Sequence, residues 1–366
     1  MPDGEQKTLF STYDLNGLAL NNRVAMASMT RGRARNEGLV PTELHVEYYR
    51  QRATAGLILT EATWISRESI GFINVPGLFT LEQAGAWRKV VDGVHAKGGR
   101  IYVQLAHTGA VSHPDFFDGE LPLAPSAVNP GLMSFTPTGF KDTVMPRAMT
   151  VGQIKATVLD YAAAARNAKA AGFDGVELHS ATTYLLPQFL NSALNVRQDE
   201  YGGNHENRAR IVIEILNALV EVWGPGRVGV KLSPTMAMGG FVPTDQTVAT
   251  YDHLVERLND IPLSHLQLVR ATSDLTGTPI RALQDTVGYY RPRFKGTLIA
   301  NGGFDKPSAN AIIGSRNADL VSFGSSFIGN PDLVHRLRDD VALKPSRRDT
   351  YYQGGAEGYI DHLATS

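Results

Sequence analysis

The sequence predicts an α/β protein, a (β/α)8 TIM barrel with a long insertion after strand 3. Eight short, apolar and β-branched segments alternate with longer helical segments, which is the pattern of consecutive βα units. The eight units run to the C-terminus with no linker and no break in composition. Several segments are apolar almost throughout, as strands are when helices cover both faces of a parallel sheet. A doubly wound sheet is the alternative arrangement of the same units.

The βα units follow one another in a regular order. The predicted strands are Arg23–Ala27, Gly56–Glu61, Arg100–Leu105, Gly175–His179, Val228–Ser233, His265–Val269, Thr297–Ala300 and Leu320–Phe323. The predicted helices are Glu82–Ala96, Ile154–Ala171, Asn207–Trp223, Thr244–Leu258, Pro307–Gly314 and Asp332–Leu343. Thr150 and Gln153 resemble a capping box before the second of these helices, and Gly172 ends it.

The chain is longer than such a barrel requires. A (β/α)8 barrel typically takes ~250 residues, and this chain has 366. Much of the excess lies in His107–Met149, which has six prolines and no helical periodicity. An ordered insertion of this length is usually functional, so we expect residues 107–149 to form a lid within a single domain, 1–366. The four phenylalanines of the insertion form either an aromatic wall of the pocket or a small core of the lid; they are Phe116, Phe117, Phe135 and Phe140.

Composition excludes several classes of protein. The formal net charge is −1, from 35 Lys and Arg against 36 Asp and Glu, which argues against binding to nucleic acid or to an anionic membrane surface. There are no cysteines, so disulfides, thiolate metal sites and cysteine nucleophiles are excluded, and we predict no metal. Met1–Ser11 has no apolar core of a secretory signal. We therefore expect a cytoplasmic enzyme that acts on a small molecule, with its oligomeric state open.

Polar residues gather where the predicted strands end. Active sites of (β/α)8 barrels lie at the C-terminal ends of the strands, because the loops that follow them meet on that face. The strand interiors are apolar, whereas the ends are not. The residues at or just after these ends include Ser28, Met29, Thr30, Glu61, Ala62, Gln104, His179, Lys231, Arg270, Asn301, Gly302, Gly303, Gly324 and Ser325.

Two glycine-containing turns follow the seventh and eighth strands, where barrels often bind phosphate. They are Asn301-Gly302-Gly303 and Gly324-Ser325-Ser326. Glycine lets the backbone approach an anion, and a following helix offers free N–H groups; both segments are equally consistent with plain tight turns. The GxGxxG match at Gly224–Gly229 precedes a strand instead of following one, so it does not indicate a dinucleotide-binding fold.

His179 and Tyr184 follow the fourth strand. A neutral imidazole can donate a hydrogen bond to a carbonyl group or an anionic ring, and a nearby tyrosine can transfer a proton. The alternative is a histidine satisfied by the backbone and a tyrosine packed on the rim of the barrel. These residues alone do not decide between the two.

The segment around His179 resembles the Old Yellow Enzyme family of FMN-dependent ene-reductases. The resemblance starts from Ala171–His179, Tyr184–Leu190, Asn195–Gly203 and Glu206–Arg210. Further matches extend it over nearly the whole chain; among them are Thr30-Arg31, Tyr48–Arg52, Glu61–Thr63, Val103–Leu105 with His107–Gly109, Asn330–Leu333 and Gly354–Tyr359. So many matches in order are specific for common descent and for the barrel, and less specific for activity.

The resemblance implies a reaction and a role for each site residue. NAD(P)H, that is NADPH or NADH, reduces FMN, which then transfers hydride to the β-carbon of an activated alkene, while a tyrosine protonates the α-carbon. By motif position, Tyr184 is the acid, and His179 polarises the substrate carbonyl with Thr182 at its partner position. The implied cofactor-binding residues are Ser28, Met29, Thr30, Ala62, Gln104, His179, Lys231, Asn301, Gly302, Gly303, Gly324 and Ser325. Phe72, Ala106 and Tyr352 are the implied substrate-binding residues.

The sequence departs from the family pattern at several of these positions. Thr182 replaces a histidine or asparagine, Lys231 replaces an arginine at the flavin pyrimidine edge, and Ser325 replaces the arginine that pairs with the FMN phosphate. A charge-assisted hydrogen bond of that kind contributes about 1.5–3 kcal/mol. The other departures together predict a larger and less polar pocket: Ser28 for proline, Ala106 for tryptophan, Ala110 for arginine and Phe72 for tyrosine.

Two functions remain open from the sequence. In the first, the protein is an FMN-dependent ene-reductase with a pocket adapted to a bulky apolar substrate. In the second, the barrel binds flavin weakly or not at all and performs redox-neutral isomerisation or cyclisation in the same pocket, with Tyr184 as the acid. The first explains why His179, Tyr184, Thr30 and Gln104 are present; the second explains why contacts change at both ends of the flavin.

Overall fold

The computed structural model describes residues 7–362, and within them eight strands form a closed parallel barrel. The strands are β1 Val24–Met26, β2 Leu57–Trp64, β3 Ile101–Ala106, β4 Gly175–Ser180, β5 Val228–Leu232, β6 His265–Val269, β7 Leu298–Asn301 and β8 Leu320–Phe323. They pair in chain order, and β8 closes onto β1. The barrel and its eight strands are therefore confirmed, and the doubly wound sheet is excluded.

Helices surround the barrel. They are α1 Glu43–Gln51, α2 Leu81–His95, α3 Val151–Ala171, α4 Leu185–Leu190, α5 His205–Trp223, α6 Asp245–Leu258, α7 Thr286–Tyr290, α8 Lys306–Gly314, α9 Ser325–Gly329 and α10 Leu333–Arg338. The capping box of Thr150 and Gln153 is present, and Gly172 ends α3 with φ of 90°. The helix predicted over Asp332–Leu343 is wrong beyond Arg338, where a left-handed Asp340 lies in the irregular chain that follows. No helix in the described part of the chain is long and apolar enough to cross a membrane.

An antiparallel hairpin that the sequence analysis missed packs on the barrel near its N-terminal end. Its strands are Tyr13–Leu15 and Leu18–Leu20. Leu15 and Leu20 are buried with Leu57 and Tyr102 of the barrel. This packing lies at the end opposite to the one where the polar residues gather. Residues 1–6, part of the segment read for a secretory signal, lie outside the described residues.

The insertion of residues 107–149 is ordered and has secondary structure of its own. It contains a hairpin of Met133–Thr136 with Gly139–Asp142 and a short parallel pair, Leu123–Ala124 with Arg147–Ala148. The Phe135 ring stacks on the Phe140 ring, with 4.2 Å between the ring centroids. It also makes an edge contact with Phe72, with 5.2 Å between the centroids. Phe135 thus connects the aromatic stack within the insertion to Phe72, and a lid role for the insertion stays a prediction.

Large and small residues alternate inside the barrel. Gly229 of β5 faces His265 of β6, and a Cβ atom at Gly229 would lie 2.2–2.7 Å from the imidazole ring. Gly175 of β4 faces Tyr102 of β3 in the same way, and a Cβ atom at Gly175 would lie 2.3 Å from the phenol ring. The last glycine of the Gly224–Gly229 motif therefore serves barrel packing, as its position before a strand predicted.

Substitution of Gly229 tests this packing. We expect Gly229→Ala to lower the free energy of unfolding by about 1–3 kcal/mol, because the added methyl group forces His265 out of place. Gly85→Ala is the matched control, since Gly85 lies within α2 with nothing within 4 Å of its Cβ position. That variant should be about 0.5–1 kcal/mol more stable than the wild type. Urea unfolding measures both; equal stabilities of the two variants would contradict the packing argument.

Candidate active site

A cavity of about 370 Å³ opens where the strands end. It lies beside the loops that follow β1, β4 and β8 and beside the C-terminal segment. Most of its lining residues belong to the predicted site; the lining comprises Ser28, Met29, Thr30, Phe72, Tyr184, Ser325, Ile328, Tyr351 and Tyr352. The fold thus brings together residues that are as far as 324 positions apart in sequence, the separation of Ser28 and Tyr352.

His179 lies near the end of β4 as a neutral hydrogen-bond donor. Its Nδ1 accepts a hydrogen bond from the backbone N–H of Ala181 at 3.3 Å, so the remaining ring proton is on Nε2. Burial, and secondarily the charge of Lys231, lower the pKa of His179 to about 3. The imidazole therefore stays neutral at physiological pH and has one N–H group to offer.

Tyr184 holds its proton beside His179. The two ring centroids are 4.9 Å apart, and the phenol ring also lies 6.3 Å from the ring of Trp64. Burial, and secondarily the Tyr352 hydroxyl, raise the pKa of Tyr184 to about 12. A tyrosine with this pKa is fully protonated at neutral pH and is available as a proton donor.

Thr182 does not line this cavity. Its backbone is left-handed, with φ of 59°, and its N–H group donates to Ser233 Oγ at 2.7 Å. The side chain lines a separate, very small cavity that it shares with Phe241 and Tyr251. The structure therefore separates Thr182 from this cavity, and the roles that the family pattern implies for His179 and Thr182 stay predictions.

A buried polar network lies beneath the cavity. Glu177 of β4 accepts hydrogen bonds from Gln104 Nε2 at 2.7 Å, Gln267 Nε2 at 2.8 Å and His265 Nε2 at 3.0 Å. The Ser28 hydroxyl lies 2.6 Å from Gln104 Oε1 and also contacts the carbonyl oxygen of Thr60. Ser28, unlike the usual proline, therefore adds a polar contact to Gln104 and fixes the orientation of its amide.

Lys231 lies between His179 and Gln267 in the register of the sheet. Burial lowers the pKa of its ammonium group, and Glu177 partly offsets this. Within residues 7–362, no carboxylate forms an ion pair with Lys231 within 4.0 Å. Lys231 therefore places a buried amino group with no carboxylate partner among the described residues at the strand ends.

Buried arginines bring the C-terminal segment to the cavity. Arg31 donates to the carbonyl oxygen of Gly358 at 2.7 Å, and Arg33 donates to that of Thr350 at 2.7 Å. The carboxyl group of Glu61 accepts from the backbone N–H of Arg31 at 3.1 Å, which positions the adjacent Thr30. From the sequence, Glu61 is a strand-end residue and a family match, and Arg31 is a family match only. The signal of their structural role is that both are charged residues beside an apolar strand.

Ala106 is not among the residues that line the cavity, so its predicted effect on the pocket stays a prediction. It is fully buried, and it pairs in register with Trp64 of β2, which is also fully buried. Both belong to one apolar cluster with Ala62, and the ring of Tyr184 packs against that cluster. A large apolar side chain thus lies on the neighbouring strand, in register with Ala106.

Phe72 and Tyr352 form an aromatic side of the cavity. Their ring centroids are 5.4 Å apart, and Phe72 continues to Phe135 of the insertion. Tyr352 is partly exposed, so its ring borders the opening. An apolar wall of this kind favours a ligand with a flat or bulky apolar body.

The two glycine turns have free backbone donors. Gly302 and Gly303 adopt φ of 117° and 66°, conformations that glycine reaches at little cost. Among the described residues, no acceptor bonds the N–H groups of Gly303, Gly324 or Ser325. The side chain of Asn301 is directed elsewhere, because its amide donates to Ser322 Oγ at 2.8 Å. The turns therefore offer N–H groups to an anion, as the sequence analysis allowed.

Comparison with known proteins agrees with this architecture. Residues 8–344 match the model of the NADH:flavin oxidoreductase / NADH oxidase family. Flavin oxidoreductase hxnT of Emericella nidulans is 39% identical over 379 residues, covering 97% of each chain. 12-Oxophytodienoate reductase 1 of Oryza sativa subsp. japonica is 37% identical over 362 residues, which is 97% of this chain and 92% of the relative.

The solved structure of morphinone reductase superposes with a TM-score of 0.93 at 40% identity, covering 100% of this chain and 98% of the other. A complex of morphinone reductase with tetrahydroNAD gives a TM-score of 0.91 at 41% identity, with 98% of each chain covered. The similarity extends over the barrel, the insertion and the C-terminal segment alike. The chain therefore belongs to the NADH:flavin oxidoreductase, or Old Yellow Enzyme, family and is a flavin oxidoreductase that uses NAD(P)H.

Proposed function

We propose that the protein is an FMN-dependent ene-reductase that reduces the activated C=C bond of an enone or enal with NADPH or NADH. The observation that carries this proposal is the pairing of a neutral His179 with a protonated Tyr184 at the strand ends. One group polarises a carbonyl and the other supplies a proton, and these are the two protein functions that alkene reduction needs beyond a hydride donor.

The residues at the strand ends fit FMN. The free N–H groups of Gly303, Gly324 and Ser325 suit a phosphate. Lys231 is the candidate cation for the electron-rich pyrimidine end of the flavin, and Gln104 is buried in the polar network with Glu177. Thr30 and Ala62 are further candidates for contacts with the ring, together with the neighbouring Ser28 and Met29. When bound there, FMN would supply the hydride for the β-carbon of the alkene after reduction by NAD(P)H.

His179 orients and activates the substrate. Its Nε2–H group donates a hydrogen bond to the carbonyl oxygen, which draws electron density from the C=C bond and makes the β-carbon electrophilic. The backbone of Ala181 holds the ring through Nδ1, so the tautomer is fixed before substrate binds. Because the imidazole is neutral, it stabilises the developing enolate through a hydrogen bond and does not give up a second proton.

Tyr184 completes the reduction by donating its hydroxyl proton to the α-carbon as the hydride arrives at the β-carbon. Phe72 and Tyr352 provide the apolar side against which the body of the substrate packs. The insertion of residues 107–149 contacts Phe72 through Phe135, which supports its proposed role as a lid that excludes water. These features favour a bulky apolar enone.

The absorption spectrum of the purified protein tests the proposal. We expect bands of oxidised flavin at about one FMN per chain after incubation with FMN and desalting. An enone should then be reduced with NADPH or NADH as the electron donor. A colourless protein that retains no added FMN would refute the proposal and would direct attention to redox-neutral isomerisation or cyclisation in the same pocket.

Tyr184→Phe separates the proton-transfer step from binding. We expect the rate of enone reduction by the reduced enzyme to fall by about a hundredfold, with little change in ligand affinity. Reduction of the oxidised enzyme by NAD(P)H should keep its rate. Tyr351→Phe is the matched control, because Tyr351 lines the same cavity but its hydroxyl contacts Ser346 at 2.5 Å. An unchanged rate in Tyr184→Phe would exclude this role.

The pH profile tests the neutral state of His179. Its pKa of about 3 and the Tyr184 pKa of about 12 place both ionisations outside pH 5–9. We therefore expect the rate of enone reduction to show no inflection from His179 in that range. A step near pH 6.5 in the wild type that disappears in His179→Gln would mean that the histidine protonates normally and would contradict the assignment.

A further inference from the structure

Arg270 follows the last residue of β6 and lies against the glycine turn after β7. Its Nε donates to the carbonyl oxygen of Gly302, and its Nη2 donates to that of Gly303 at 2.8 Å. The guanidinium carbon lies 4.1 Å from the centre of the Phe304 ring. One planar side chain therefore holds two consecutive peptide groups of the turn in a fixed orientation.

The orientation of these carbonyls fixes the direction of the N–H groups that follow them. In a trans peptide, the C=O of one residue and the N–H of the next point in opposite directions, and no peptide bond in residues 7–362 is cis. Because the carbonyls of Gly302 and Gly303 point toward Arg270, the N–H groups of Gly303 and Phe304 point away from it. Neither N–H group has an acceptor in the described part of the chain.

The turn and the arginine are fitted closely to each other. A Cβ atom at Gly302 would lie 3.0 Å from Arg270 Cγ, at a φ of 117° that side chains rarely adopt. The close packing leaves the guanidinium little freedom to move away from the two carbonyls. Two nearby carboxylates are occupied as helix caps: Asp285 accepts from Gly288 N at 3.0 Å and Asp305 from Ser308 N at 2.9 Å.

We propose that Arg270 is a positioning residue for the FMN phosphate, and this inference rests on the function proposed above. Ser325 stands where the family pattern has a phosphate-binding arginine, so this chain must hold the phosphate by other means. Arg270 orients the Gly302-Gly303 turn in advance, so that its N–H groups face the anion without a loss of conformational entropy on binding. The arginine acts through the backbone of the turn and not by contact with the flavin ring.

The ratio of affinities for FMN and riboflavin tests the inference, because riboflavin has the same ring but no phosphate. Quenching of flavin fluorescence gives both dissociation constants for the intact apoprotein. We expect Arg270→Gln to bind FMN about ten- to a hundredfold more weakly and riboflavin with unchanged affinity. Arg293→Gln is the matched control: its guanidinium also lies over a ring, 4.0 Å from that of Tyr289, and donates to a backbone carbonyl at 2.7 Å.

Two further variants separate positioning from charge. Arg270→Lys keeps the charge but cannot hold two carbonyls with a planar fork, so we expect it to lose FMN affinity as Arg270→Gln does. Ser325→Arg in the Arg270→Gln background should restore FMN binding by supplying a cation to the phosphate directly. Full FMN affinity in Arg270→Lys, equal losses for FMN and riboflavin, or no restoration by Ser325→Arg would overturn the inference. Wild-type protein that binds no FMN would instead refute the proposed function itself.

Discussion

The buried carboxyl group of Glu177 is the constraint on which the site depends. It has no exposed surface, and it accepts hydrogen bonds from Gln104, Gln267 and His265. Leaving such a group unpaired inside a protein costs several kcal/mol, so β3, β4 and β6 must meet in one register. The network continues from Gln267 to Ser322 at 2.6 Å, and so extends to β8. The floor of the site is therefore a single hydrogen-bonded unit.

The rim of the cavity is held differently. Its contacts join the loop after β1 to the C-terminal segment, which is far away in sequence. Arg31 and Arg33 use their guanidinium groups on backbone carbonyls of the C-terminal segment, and Glu61 holds the loop that carries them. Burying these arginines is acceptable because each charge is shared among several oxygens. The same contacts bring Tyr352 to the cavity that Tyr184 also lines. The rim and the floor together explain why the cavity has one polar and one aromatic side.

Departures from the family pattern are compensated within the same neighbourhoods. Ala106, where the family pattern has a tryptophan, pairs in register with Trp64 on the adjacent strand and shares an apolar cluster with it, and a close-packed interior tolerates an exchange of large and small residues better than a void. The proline expected at Ser28 is replaced by a hydroxyl group that contacts Gln104. Other residues therefore make contacts near the substituted positions. This favours retained flavin chemistry over its loss.

The sequence by itself determined the eight strands and the place of the insertion, because buried strands and helix caps leave local patterns that need no distant partner. The ordered motif matches indicated the family and its barrel, and the structure excluded the doubly wound alternative. His179, Tyr184 and the glycine turns were found in the same way, from motifs at strand ends. Only the tertiary structure decided that Thr182 lines another cavity, that Trp64 lies beside Ala106, and that Arg270 lies on the Gly302-Gly303 turn. These depend on which side chains from separate strands share a small volume, and no local pattern encodes that.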